Sequence, residues 1–155
     1  MSSGVVHYRY YMKGYRLVFP ISVALSFLDW RIGIGYLAGY SLGRWLDPDL
    51  DLMSANSAEG RIINELPILG HFLYGVSSSY GSFWRRHHRS VWTHYPLIST
   101  LIRLVWFLWL PFVLLDAYGI NFIGGGWVWF WVSLWLGLST ADAIHLYKDF
   151  YPSKE

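Results

Sequence analysis

The chain has 155 residues, of which 54% are hydrophobic, 20% aromatic and only 14% charged, and its formal net charge is +2. A soluble domain of this size needs more polar residues to cover its surface, so the composition excludes an ordinary soluble protein and indicates an integral membrane protein. The small charge gives no argument for a nucleic-acid partner, and the absence of cysteine excludes disulfides and thiolate ligands.

The first predicted element is a helical hairpin over residues 17–46. Two apolar stretches, 17–28 and 32–43, are separated by Asp29-Trp30-Arg31. The hairpin places these charges at a membrane interface, with Asp29 capping the second helix. A single crossing is the alternative, because the first stretch alone covers roughly 18 Å of a ~30 Å hydrocarbon layer.

The second helix of this hairpin carries a glycine at every fourth position, at Gly35, Gly39 and Gly43. This small-xxx-small spacing clears side chains from one face and allows another helix to approach closely. The pattern predicts tight helix packing and leaves the identity of the partner helix open.

An acidic segment follows in the sequence WLDPDLD, where Asp47, Asp49 and Asp51 occupy alternating positions and Pro48 helps to end the helix. In an extended segment all three carboxylates point to the same side, as a metal site would need. Taken alone, however, this segment favours a helix terminus followed by a solvated acidic turn.

Residues 53–92 are too polar to cross a membrane. The part RIINELPILGHFLYGV has apolar residues in helical rhythm, interrupted by Pro67. We expect an interfacial helical segment that covers the site, and the alternative is a simple connector.

The sequence HHRSVWTHYP leads into the next apolar stretch and contains His88, Arg89 and His94. His94 lies where a helix begins, and there the helix dipole disfavours a charged imidazolium and favours the neutral form that binds metals. The neighbouring arginines are also typical of contacts with anionic lipid headgroups.

A second hairpin is predicted over residues 97–142. Its apolar stretches, 97–115 and 127–141, flank DAYGINFIGGG, which is rich in helix-breaking residues. With both hairpins formed, Arg31 is the single Lys or Arg on the far side and the other eleven lie on or near the side of the termini. By the positive-inside rule that side is cytoplasmic, which predicts a multi-pass protein of a bacterial-type inner membrane.

The last helix ends in DAIHLYKD, where Asp142, His145 and Asp149 fall at i, i+3 and i+7 on one helical stripe. A carboxylate and an imidazole on one face suit a divalent metal. The alternative is a capping and solubilising pattern at a helix end. His7 is an isolated histidine near the start of the chain.

These motifs resemble a bacterial family of metal-binding proteins related to the membrane-bound metal-dependent hydrolases, including a LexA-regulated inner-membrane type. The resemblance rests on SSGVVHYRY, DPDLDL, HRSVWTHYPLISTLIR and STADAIHLYKD, and it spans nearly the whole chain. It implies metal ligation by five residues, with three more as neighbouring candidates. The five are His7, Asp49, His94, His145 and Asp149; the three are His88, Asp51 and Asp142.

Histidine and carboxylate ligands without cysteine suit one or two Zn²⁺ ions, with Mn²⁺ or Fe²⁺ as alternatives. The expected activity is hydrolysis of a phosphoester or other ester of an amphiphilic substrate. Asp51 or Asp142 would act as general base, and Arg89 or Arg86 would hold a phosphate. The alternative is a non-catalytic protein that is stabilised by its metal and that docks a partner or anionic lipid. Ion transport ranks last, because Arg103 alone lies within an apolar stretch.

Overall fold

The computed structural model describes residues 4–43, 46, 67–84, 95–119 and 127–150. All regular secondary structure in these ranges is helical, which confirms the all-α prediction. The helices described are α1 (Gly4–Ser26), α2 (Trp30–Leu42), α3 (Pro67–Trp84), α4 (Pro96–Ala117) and α5 (Trp127–Phe150).

The first two helices form a hairpin around Asp29, as predicted. Asp29 is the N-cap of α2, with an extended backbone (φ −159°, ψ 126°), and its carboxylate accepts a hydrogen bond from the backbone N–H of Arg31 at 2.9 Å. The Arg31 guanidinium donates to both carboxylate oxygens, at 3.1 and 2.9 Å. Because the chain reverses here, residues 17–46 do not form a single straight helix.

The predicted start of the first helix is wrong. Apolarity alone predicts a start at Leu17, whereas α1 begins at Gly4 and its 23 residues extend over about 34 Å. The earlier turns contain tyrosines that pack against α2: the rings of Tyr11 and Tyr15 lie 4.7 and 4.9 Å from the ring of Tyr40, measured between centroids. Tertiary packing therefore extends the helix beyond its apolar part.

The glycine stripe of α2 packs against α5. A Cβ atom added at Gly39 would lie 1.9 Å from the carbonyl oxygen of Leu134, so the two backbones touch at this point. Gly137 of α5 makes the reciprocal approach, since its Cβ would lie 2.0 Å from the carbonyl oxygen of Tyr36. The sequence predicts the close approach, and the structure identifies α5 as the partner.

The helices α2 and α5 run in the same direction, and α1 runs against them. At one end of the bundle Trp30 contacts Trp127, with ring centroids 6.2 Å apart, and we call this the tryptophan end. At the other end Gly43 of α2 lies against Ala141 of α5, so α2 and α5 are parallel. The helix α1 runs the opposite way. The end where α1 begins and where α2 and α5 finish is called the polar end below.

The helix α3 packs against α4. Its first described residue is Pro67, and a proline fits the first turn of a helix because the N–H that it lacks would have no partner there. Tyr80 is fully buried, and its ring lies 5.9 Å from that of Trp106 and 6.2 Å from that of Phe107. The last turns of α3 thus belong to the core of the bundle.

The outer surface of the bundle is rich in large apolar side chains. Leu17 is 62% exposed, Val105 is 61% exposed and Trp129 is 59% exposed, on three different helices. Within the described ranges, no helix has both the length and the apolar character of a membrane crossing.

Candidate functional site

The most unusual feature near the polar end is an ion pair buried between α4 and α5. Arg103 is 0% exposed and Asp142 is 1% exposed, and the Arg103 guanidinium donates to Oδ2 of Asp142. Removing two charges from solvent costs several kcal/mol per ion. Such a pair persists only where hydrogen bonds satisfy the charges closely.

The hydrogen bonds of Arg103 reach three parts of the chain. Nε donates to the carbonyl oxygen of Ser99 at 3.3 Å, and Nη2 reaches Oγ of Ser99 at 3.5 Å. Nη1 donates to the carbonyl oxygen of Leu46, the described residue that follows α2. Ser99 also donates to Oδ2 of Asp142 at 3.4 Å. We call Arg103, Asp142, Ser99 and Leu46 the Arg103 network, which joins the end of α2 to α4 and α5.

A neutral hydrogen bond lies beside this network in the same helix interface. The hydroxyls of Thr100 and Ser139 are 3.0 Å apart, and both residues are buried. Thr100 precedes Arg103 on one face of α4, and Ser139 precedes Asp142 on one face of α5. The interface between α4 and α5 is therefore polar at this level, although both helices are apolar further along.

Two of the sequence-predicted site residues have described side chains. Asp142 is in the Arg103 network, and His145 is half-buried one turn later on α5. His7 and Asp149 lie in α1 and α5, and only their backbone is described. The other predicted site residues lie outside the described residues: Asp49, Asp51, His88, Arg89 and His94.

The backbone brings the first and last predicted ligands to the same end of the bundle. Gly14 of α1 lies against Ile144 of α5, where an added Cβ atom would come 2.9 Å from Cδ1 of the isoleucine. His7 lies two turns before Gly14, and Asp149 lies more than one turn after Ile144, so both are at the polar end. Among the described side chains, no group of three or more His, Asp or Glu residues is placed to hold a metal ion.

Sequence reasoning missed the partner of Arg103. The sequence shows Arg103 as the one charge inside an apolar stretch and predicts Asp142 where the last helix leaves the lipid, whereas the structure buries Asp142 between helices. The signal was present, because an arginine two turns into an apolar helix requires a counter-charge. Serine and threonine on the same helix faces mark the interface that supplies it.

An apolar groove lies on the side of the bundle close to the polar end. It has a volume of about 610 Å³ and opens between the start of α4 and the second half of α5. Across its floor the hydroxyls of Tyr36 and Thr140 are 3.2 Å apart. Its lining includes Tyr36, Tyr95, Pro96, Leu97, Leu136 and Thr140.

Comparisons with protein-family models, with curated proteins and with solved structures found no match. The described residues define the class as an all-helical bundle with a buried ion pair near its polar end.

Proposed function

We propose that the protein is an integral membrane hydrolase that holds a divalent metal ion at the polar end and cleaves a phosphoester or other ester of an amphiphilic substrate. The observation that carries the proposal is the arrangement of the helix ends. The described backbone at His7 and His145 lies toward the end of the bundle where α2 and α5 finish. Asp149 belongs to the last turn of α5, and the other candidate ligands follow α2 or precede α4 in sequence.

A lipid environment is supported by the apolar outer surface. Side chains such as Leu101 and Val113 of α4 and Leu136 of α5 would each expose apolar area to water at a cost of about 25 cal/mol per Å². In lipid this cost disappears. We propose an inner (plasma) membrane location with both termini on the cytoplasmic side, because the two-hairpin topology expected from the sequence puts eleven of the twelve Lys and Arg residues on or near that side.

The donor set suits Zn²⁺, with Mn²⁺ or Fe²⁺ as alternatives, and its number of candidate ligands suffices for one or two ions. Candidate ligands are imidazole nitrogens and carboxylate oxygens, namely His7, Asp49, His88, His94, His145 and Asp149. A bound zinc ion would lower the pKa of a water molecule and polarise the substrate.

The remaining roles belong to residues of this chain. Asp51 is the better of the two proposed general bases, because Oδ2 of Asp142 already accepts hydrogen bonds from Arg103 and Ser99. Asp142 is then best placed to orient α5 and its histidine. Arg89 would hold an anionic phosphate. The groove beside the polar end matches the apolar part of an amphiphilic substrate.

The first test is purification in detergent, metal analysis, and hydrolysis assays on phospholipid and simple phosphoester substrates. We expect stoichiometric zinc, and activity that a chelator abolishes and zinc restores. His145→Ala should lower zinc affinity and activity by at least tenfold. His71→Ala is the matched control, because His71 is an exposed residue of α3 and no ligand role is assigned to it.

The alternative outcomes are distinct. Stoichiometric zinc without turnover, together with unfolding on chelation, would favour a metal-stabilised protein that docks a partner or anionic lipid. Purified protein that binds no zinc, Mn²⁺ or Fe²⁺ would contradict the proposal.

A further inference from the structure

The Arg103 network poses an energetic question. A buried ion pair is seldom more stabilising than two well-packed apolar residues of similar volume, because desolvation offsets the attraction. The surrounding interface between α4 and α5 already contains leucine and phenylalanine, including Leu104, Phe107, Leu134 and Leu138. Apolar residues at positions 103 and 142 would therefore hold these two helices together as well.

Directed hydrogen bonds fix the relative position and orientation of the helices, which apolar packing does not. Leucine contacts tolerate small shifts along and around a helix, whereas a guanidinium fixes its partners in distance and direction. Here the partners are a carboxylate of α5, a backbone carbonyl of α4 and the carbonyl of Leu46.

We propose that Arg103 is a positioning residue: it holds the end of α2, the start of α4 and the last turns of α5 in the relative arrangement that the polar end requires. The inference rests on the proposed function, since the candidate ligands lie on or next to these helix ends. Arg103 itself is fully buried and acts through Asp142 and Leu46 without touching substrate.

The first measurement concerns the helix positions and needs no metal. The chain has no cysteine, so two introduced cysteines can be spin-labelled specifically. Tyr95→Cys and Tyr147→Cys place labels on exposed sites, 52% and 61% exposed, before α4 and near the end of α5. In the parent, the distance between the labels should have a narrow distribution.

The test variant is Arg103→Met/Asp142→Asn, which removes both charges together and leaves neither buried alone. We expect its helical circular dichroism to be retained and its label distance to broaden or shift. The matched control is Thr100→Val/Ser139→Ala, which removes the neutral hydrogen bond from the same interface. The control should keep the parental distance distribution. If the test variant fails to fold, Arg103→Lys replaces it, because lysine keeps the charge but lacks the planar guanidinium group.

The second measurement is zinc affinity, with Co²⁺ absorption spectra as a signature of ligand geometry. The test variant should bind zinc at least tenfold more weakly and show an altered Co²⁺ spectrum, as expected when the support of metal ligands is lost. The control should bind as the parent does. A parental label distance, or a parental zinc affinity and Co²⁺ spectrum, in the folded test variant would overturn the inference. A parent that binds no metal would instead overturn the proposed function, while the label distances still report on the helices.

Discussion

At the level of single residues, Asp29 combines two interactions at the turn between α1 and α2. It caps α2 through the backbone N–H of Arg31 and forms an ion pair with the Arg31 guanidinium. The hydrogen bonds from the Arg31 side chain, followed by the backbone hydrogen bond, lower the pKa of the Asp29 carboxyl below its usual value. The ionised form of Asp29 is therefore favoured in the folded protein.

This shift predicts a pH dependence of stability. Because the pKa of Asp29 is lower in the folded state, its contribution is fully present above the unfolded pKa of about 3.9 and is lost as the pH falls through the folded pKa. Asp29→Asn keeps a capping side chain but cannot ionise. The melting temperature of the parent should exceed that of Asp29→Asn at neutral pH, and the difference should vanish in acid. A difference that is constant with pH would contradict this prediction.

The sequence predicts local residue interactions much better than distant ones. Asp29 as a cap follows from its position directly before an apolar helical stretch, and the structure confirms it. The bond between Arg103 and Asp142 joins residues that are 39 positions apart. Their pairing depends on the relative rotation of α4 and α5, which is set by packing around Leu104 and Leu138 and not by any local pattern.

At the level of helices, the glycines of α2 and α5 set the distance between the two backbones. Gly39 faces the Leu134 carbonyl and Gly137 faces the Tyr36 carbonyl, so a methyl group at either position would clash with the backbone of the other helix. Glycine spacing reveals a contact face from sequence alone, but many helices present such faces. The partner of α2 becomes evident only from the structure.

Substitutions of single glycines should therefore have opposite effects in different helices. Gly39→Ala should destabilise the protein by about 1–3 kcal/mol, because α2 and α5 must move apart. Gly75→Ala is the control in α3, where an added Cβ atom meets nothing within 4 Å. It should stabilise the protein by about 0.5–1 kcal/mol through helix propensity. Unfolding titrations in detergent measure both, and equal effects of the two substitutions would argue against a tight interface.

The boundaries of the helices illustrate the limit of hydropathy as a guide. Apolarity predicts a start of α1 at Leu17, but the tyrosines before it form a hydrogen-bonded contact with α2. The Tyr40 hydroxyl donates to the carbonyl oxygen of Tyr11 at 2.7 Å, and the Tyr15 hydroxyl donates to Oγ of Ser41 at 2.8 Å. Residues that look too polar for an apolar stretch are helical here because a neighbouring helix satisfies them.

At the level of the whole molecule, the proposed lipid environment predicts how the protein fractionates. The protein should remain in the membrane pellet after alkaline carbonate extraction and should require detergent for release. Val105→Lys places a charge on the outer surface of α4 at a 61% exposed position and should reduce the inserted fraction. Tyr147→Lys, near the polar end, is the control and should insert normally. Release of the parent protein by carbonate would contradict a membrane location.

For the whole molecule, the sequence predicts the helical class and the first hairpin, both of which the structure confirms. His7 and Asp149 lie toward one end because α1 packs antiparallel to α2 and α5. The metal site itself remains a prediction, because it depends on side chains contributed by four separate segments. Hydrophobic periodicity places helices, but it does not determine how their ends are arranged in space.

The position of α5 between α1, α2 and α4 also has a consequence for biosynthesis. The α1–α2 hairpin leaves the ribosome before α5, with the glycine stripe of α2 uncovered, and the helix that covers this stripe is the last of the described helices to be made. The hairpin must therefore wait in an incomplete form until α5 has been translated. Loss of α5 would leave a hairpin with no native partner for its closest contact surface, a form that cellular quality control recognises and degrades.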